Sequence, residues 1–216
     1  MKIRLLFFAF LICCHLPEAT SQPTKGIGIM AGVNLSHIYI TDAGGFNDFN
    51  QSLRWQPGVQ AGLTAIPVLF SEQFGLKLGF GYFQRGAASD SKGPTLLDKD
   101  GVFRFHYLSL PITVLYYPTE RLFFELGPQL SYLVGAKTHL KESGEITSFN
   151  RTIDHYENIG LSAGLGYDIQ QRVKVSLQFY QGFLSIDELE KRDSSEKSHL
   201  LNQSILLGLE IELWRW

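Results

Sequence analysis

Cysteine is confined to two adjacent residues, Cys13 and Cys14, inside the first apolar run of the chain. Everything after them is cysteine-free, so the remainder carries no disulfide framework, no thiol nucleophile and no Cys-based metal site. Basic charge is not in excess: 19 Lys and Arg stand against 21 Asp and Glu. A basic stripe for nucleic acid is absent, and no nucleic-acid partner is expected. Beyond the N-terminal run, no stretch reaches the ~18 uncharged apolar residues of a membrane-spanning helix. No phosphate-cradling glycine loop is present either, because the glycines recur in phase with strands.

The first residues read as a leader. Met1-Lys2-Ile3-Arg4 is a short basic segment, Leu5–Leu16 is apolar, and Ala19-Thr20-Ser21 is a small-x-small cleavage site. Residues 1–21 are therefore expected to be a cleaved signal peptide, and residues 22–216 one exported domain. Ile12 precedes Cys13 where a lipidated cysteine would want a small residue, so lipidation is not expected. Loss of Lys2, Arg4 and Glu18 leaves a formal charge of about −3.

What is present is alternation. The organising stretch is Phe103–Lys137, read as a hairpin with Pro118-Thr119-Glu120-Arg121 at its tip. In the second arm Leu122, Phe124, Leu126, Leu130, Tyr132, Val134 and Ala136 share one face, while Glu125, Gly127, Gln129, Ser131, Gly135 and Lys137 share the other. A period of two over such a length means a strand, longer than the usual ~5–6 residues and suited to the ~9–11 that cross a bilayer. Six further runs alternate likewise: Gly26–Ile38, Trp55–Ala65, Phe74–Arg85, Asn158–Ile169, Val173–Gly182 and Gln203–Trp216. Two phase breaks stand out. Phe103, Phe105 and Tyr107 are out of step with Leu108, Leu110 and Ile112, which predicts a bulge or strand start near His106. Trp214 and Trp216 are out of step with Leu209–Leu213.

Connections alternate in length. Residues 39–54, 86–102, 138–157 and 183–202 are long, whereas 69–73, 118–121 and 170–172 are short. Long-short alternation is the mark of an up-and-down barrel with one rim outside the cell and the other in the periplasm. Lipid satisfies no backbone polar group, so a spanning sheet must close on itself. The expected fold is all-β: a closed, eight-stranded antiparallel transmembrane barrel with four long extracellular loops and short periplasmic turns. Eight strands leave a lumen just filled by side chains. Glycines on the polar faces, such as Gly28, Gly62, Gly79, Gly127, Gly164 and Gly166, suit that narrow interior. Between them sit Lys77, Arg85, Glu125, Lys137, Asp168, Lys174, Glu210 and Glu212, expected to pair across the lumen as a plug of salt bridges. Aromatics such as Trp55, Tyr82, Tyr116, Phe124, Tyr132 and Trp214 fit interfacial girdles. The terminal Trp216 is the kind of ending common on exported barrels, and it makes the last strand a candidate for engaging barrel-assembly machinery.

These residues resemble a known family. Ala31-Gly32-Val33-Asn34-Leu35-Ser36, Pro57-Gly58-Val59-Gln60-Ala61-Gly62, Phe80-Gly81-Tyr82-Phe83-Gln84-Arg85-Gly86, Tyr107-Leu108-Ser109-Leu110-Pro111-Ile112, Phe124-Glu125-Leu126-Gly127-Pro128-Gln129-Leu130, Gly164-Leu165-Gly166-Tyr167 and Tyr180-Gln181-Gly182-Phe183 carry the likeness. The chain is similar to the small outer-membrane β-barrels of Bacteroidetes, the PorT-like or "porin family" proteins. The resemblance implies an outer-membrane location and, for some members, ties to secretion or gliding machinery. Ser109 departs from it, where an acidic residue is common, as does the Trp214-Arg215-Trp216 ending.

Catalytic chemistry has little support. The histidines after the leader are His37, His106, His139, His155 and His199; nearby partners are Ser36, Ser109, Ser198, Asp154 and Glu157. No spacing joins one histidine to a serine and an acid across strands. A metal site on His139 and His155 would need a particular loop fold. No catalytic residue, cofactor or metal is expected. The reading is a non-enzymatic outer-membrane barrel with a structural or interaction role, its loops forming the contact surface. Outer-membrane lipid is one expected partner, and envelope or secretion proteins are others. A narrow passive channel and a soluble lipocalin-like barrel binding an apolar ligand are the alternatives, since alternation alone does not say which face points out.

Overall fold

The computed structural model describes residues 24–41, 53–89, 101–140, 146–148, 156–184, 188–190 and 197–216. The expected signal peptide, with both cysteines, lies outside them. Eight long strands run β1 (Gly26–Thr41), β2 (Leu53–Leu69), β3 (Phe74–Ser89), β4 (Gly101–Tyr116), β5 (Leu122–Leu140), β7 (Glu157–Gln170), β8 (Val173–Gly182) and β10 (Lys197–Arg215). Two short strands, β6 (Ile146–Ser148) and β9 (Glu188–Glu190), pair with β5 and β10 at the long-connector end. Each long strand pairs antiparallel with the next. The ring closes through β1 and β10, from Gly26↔Arg215 to Thr41↔His199. Sequence alternation therefore locates the strands, and most run further towards the long connectors than the apolar phase suggests.

Proline shapes the wall at two places. Pro111 has no N–H to give the β3–β4 ladder, and the pairing skips from Leu78↔Ile112 to Gly81↔Ser109. Gly79 makes room for its ring, since a Cβ there would stand 2.6 Å from Pro111 Cγ. Pro57 lies in the break of the β2–β3 ladder between Trp55 and Gln60. Side chains from β1 patch that break. Ser36 Oγ accepts from the Gly86 N–H at 2.8 Å and donates to the Gln56 carbonyl at 3.2 Å, while Asn34 Nδ2 donates to the Gln84 carbonyl at 2.9 Å. Buried backbone groups left without a ladder partner are thereby satisfied.

The phase breaks have two different causes. Strand β4 is regular: Phe103, Phe105 and Tyr107 point inward and are buried, while Leu108 and Leu110 point outward. What changes near His106 is which face is apolar. The bulge is on the partner strand, where Val134 is the extra residue between Leu133↔Tyr107 and Gly135↔His106. It reverses the phase of the rest of β5. Lys137, expected in the lumen, lies exposed on the outer wall, and Ala136, expected on the outer face, is buried inside. At the other end Leu213 is the extra residue between Ile27↔Trp214 and Gly28↔Glu212, which accounts for the break before Trp214.

Candidate functional site

The described interior divides into two storeys. Towards the short turns it carries most of the buried charges, beside a smaller apolar cluster of Ile66, Leu115, Tyr117 and Phe123. Lys77 on β3 pairs with Glu125 on β5 and lies 3.8 Å from Glu210 on β10. Gln178 Nε2 on β8 donates to Glu125 at 2.7 Å and to Ser176 Oγ at 3.2 Å. Lys174 donates to the Tyr117 hydroxyl at 3.2 Å, and the Lys77 and Lys174 ammonium groups lie 5.9 and 6.0 Å from the centre of the Phe123 ring. Asp168 is buried opposite Lys174 across the β7–β8 ladder. Glu212 closes the short-turn rim: Arg215 Nε donates to it at 2.6 Å and the Thr24 hydroxyl at 3.2 Å. These contacts span strands far apart in sequence, so each buried charge faces an opposite charge or a polar neighbour, the condition for tolerating it. Phe123 fits because Gly166 lies against its ring, where any Cβ would collide.

Towards the long connectors the interior is an apolar core. Ile38, Leu53, Phe83, Ala87, Phe103, Phe105, Tyr107, Leu133, Ala136, Tyr180, Leu200 and Leu206 form one buried cluster. Arg85, only 1% exposed, is the cation within it. Its guanidinium sits 3.6 Å from the Tyr180 ring centre and 5.5 Å from that of Tyr107, a close cation–π arrangement. The phenols are tied in turn: Tyr180 donates to Asn158 Oδ1 at 2.7 Å, and Asn202 Nδ2 donates to the Tyr107 hydroxyl at 3.0 Å.

Of the charges expected to pair across the lumen, six lie in the lower storey. Lys77, Glu125 and Glu210 come together there, with Lys174 and Asp168 beside them and Glu212 at the rim. Arg85 stands apart among aromatics, and Lys137 is outside. Sequence reasoning missed Gln178, Tyr117 and Phe123 below, and Tyr107 and Tyr180 above. The available signal was that the odd residues of Phe103–Tyr107 are aromatic while Arg104 and His106 alternate with them.

Among the described residues the other candidates do not converge. Ser36 serves the backbone, Ser109 bonds to Ser131 at 2.8 Å, and His37 lies on the outer wall 5.3 Å from the Trp55 ring. His106 Nδ1 meets the Tyr82 hydroxyl at 2.5 Å, also on the outside. Lys137 is flanked on that wall by His139, while His199 stands opposite Thr41 and Glu157 opposite Tyr132. Ser198 lies in β10; Asp154 and His155 fall outside the described residues. Among the described residues no cluster of metal-ligating side chains forms.

The outer wall mirrors the interior. In β4 the outward residues Tyr116, Val114, Leu110 and Leu108 are exposed and apolar, but His106 and Arg104 follow them. In β1, Ile27 through Leu35 give way to His37 and Tyr39. In β10, Leu213 through Ile205 give way to Gln203, Leu201 and His199. An outward apolar belt this continuous is out of place in water. The family model for the outer membrane protein beta-barrel domain matches residues 21–188. The chain belongs to that family.

As an outer-membrane barrel it turns its belt to lipid, and the span Leu108–Tyr116 fits the ~9–11 residues of a tilted crossing strand. A lipocalin-like barrel would need the apolar face inward along the whole wall; between Leu108 and Tyr116 it points outward. Among solved structures, Neisserial surface protein A shares the fold: it superposes with a TM-score of 0.56 at 10% identity, covering 88% of this chain and 99% of that one. The outer membrane protein OprG of Pseudomonas aeruginosa aligns with a TM-score of 0.47 at 14% identity, covering 91% and 99%. The attachment invasion locus protein Ail of Yersinia pestis gives 0.45 at 14%, covering 88% and 100%. No curated protein sequence matches the chain.

Proposed function

We propose that this outer-membrane barrel is non-enzymatic and serves as a rigid stem that presents its long connectors to partners at the cell surface. The observation that carries the reading is the filled interior: a charged network below and an aromatic core above, both built from side chains of the wall itself. A lumen lined by side chains packed in this way supports a stem over the passive-channel alternative. Small outer-membrane barrels with short turns keep those turns in the periplasm, so segments 42–52, 90–100, 141–155 and 185–196 become the contact surface, reached after export through a cleaved leader. A PorT-like member of the Bacteroidetes barrels, with envelope or secretion proteins as partners, is the finer form of the same reading.

The test is photo-crosslinking in intact cells. Crosslinkers in segments 42–52 and 90–100 should give discrete adducts, whereas those in the short turns 118–121 and 171–172 should not. Adducts only at the short turns would reverse the assignment, and steady single-channel conductance of the purified barrel in planar bilayers would favour the channel.

A further inference from the structure

The polarity change of the wall is uneven around the barrel. On the β1–β10 side the residues above the belt are neutral or weakly polar: His37, Tyr39, Gln203 and Gln181, bonded to one another by Gln203 to His37 at 3.5 Å and Gln181 to Tyr39 at 2.8 Å. On the β4–β5 side Arg104 and Lys137 make them basic. Arg104 and Lys137 stand directly opposite across the β4–β5 ladder, both exposed. His106 lies one outward position below Arg104, stacked on Tyr82 with ring centres 5.8 Å apart. Like charges directly opposite on a sheet repel, and neither Arg104 nor Lys137 makes an ion pair with a carboxylate among the described residues.

Two outward positions below this pair, starting at Leu108 and Tyr132, the wall carries a groove of about 460 Å³. Phe80, Leu108, Leu110, Leu130, Tyr132 and Ile159 line it, with the Ser109–Ser131 hydrogen bond at its floor. Glu157 is the acid on its β7 wall, opposite Tyr132 and so several residues below Lys137. An apolar groove inside the lipid belt and, two outward positions above it, a cationic pair with no carboxylate partner among the described residues make a single amphipathic surface. Its height is that of the outer headgroups.

We infer that this face binds a phosphorylated, acylated lipid of the outer leaflet, its phosphate held between Arg104 and Lys137 and an acyl chain laid in the groove beneath. Charge complementarity selects the head, because an anion between two opposed cations removes their repulsion and gains charge-assisted hydrogen bonds. The groove selects the tail. The inference rests on the membrane orientation of the wall and not on what the long connectors contact.

The test uses the full chain in detergent micelles and native mass spectrometry, with three probes: diphosphorylated lipid A, the same lipid dephosphorylated, and inorganic phosphate. The expected result is retention of the phosphorylated lipid, with dephosphorylation or the Arg104→Ala/Lys137→Ala pair weakening it about tenfold or more. Leu130→Trp, which fills the groove and keeps both cations, should weaken it as well. Heat-modifiable migration on gels confirms that each variant is folded, and Lys137→Glu alone provides a second test should the pair fail to fold. Equal retention of both lipids, equal retention by the Arg104 and Lys137 variants, or binding of inorganic phosphate as tight as that of the lipid would overturn the proposal.

Discussion

Above and below His106 the barrel wall obeys opposite rules. Below it, apolar side chains face out and most of the buried charges face in, beside a small apolar cluster; above it, Phe103 and Phe105 face in around the cation Arg85 while Arg104 faces out. The backbone of β4 does not change between the two, since its residues alternate without interruption. What changes is the solvent. In lipid the outer wall gains nothing from polarity and the lumen must hide the charges by pairing them; in water the same barrel folds like a soluble protein around an apolar core. One strand therefore carries a record of where the bilayer ends.

The contrast can be broken from either side. The largest effect is expected below. Glu125→Ala leaves Lys77 buried beside Lys174 with only the more distant Glu210, and should cost about 3–5 kcal/mol, read as a shift of the urea midpoint in lipid vesicles. The double change Lys77→Met/Glu125→Leu should recover most of that loss, because an apolar pair of similar size removes both charges together. Above, Phe103→Ala empties a site that is 0% exposed and should cost about 3 kcal/mol, as a soluble core would, by the same assay.

Much of this is legible in the sequence, though unevenly. The strands, the long and short connectors and the closed ring follow from a period of two, which lipid and narrow closure enforce at nearly every position. The break at Phe103–Tyr107 is visible but ambiguous, since a bulge and a change of solvent leave the same mark on one strand. Only the register separates them: it is continuous through β4 and slips in β5 at Val134. Val134 and Gly135 are small enough for either face, so nothing in the sequence betrays that slip, and for that reason Lys137 reads as luminal when it lies outside. The pairing of Lys77 with Glu125 and Glu210 is not readable in detail. Cross-lumen distances depend on the stagger at which the barrel closes, here fixed by Gly26↔Arg215 and its neighbours.

The wall provides the next contrast. Leu126→Arg places a charge in the belt at a residue that is 54% exposed and should cost about 2–3 kcal/mol, whereas His106→Arg, at the boundary, should cost about 1 kcal/mol or less. Equal penalties, from unfolding titrations in the same vesicles, would remove the distinction between the storeys. A comparably small effect is expected from Tyr180→Phe, which keeps the ring over Arg85 and removes one buried hydrogen bond to Asn158. It should cost about 1 kcal/mol.

If the bilayer ends at His106, fluorescence quenching by brominated lipids will find the boundary there. With residues 1–21 removed the chain is cysteine-free, so single labels can be placed by Leu110→Cys, Leu108→Cys, His106→Cys and Arg104→Cys in otherwise unaltered barrels. Strong quenching is expected at 110 and 108, a fall at 106 and little at 104. Quenching that stays strong through 104, or that is absent at 110, would contradict a bilayer edge at His106.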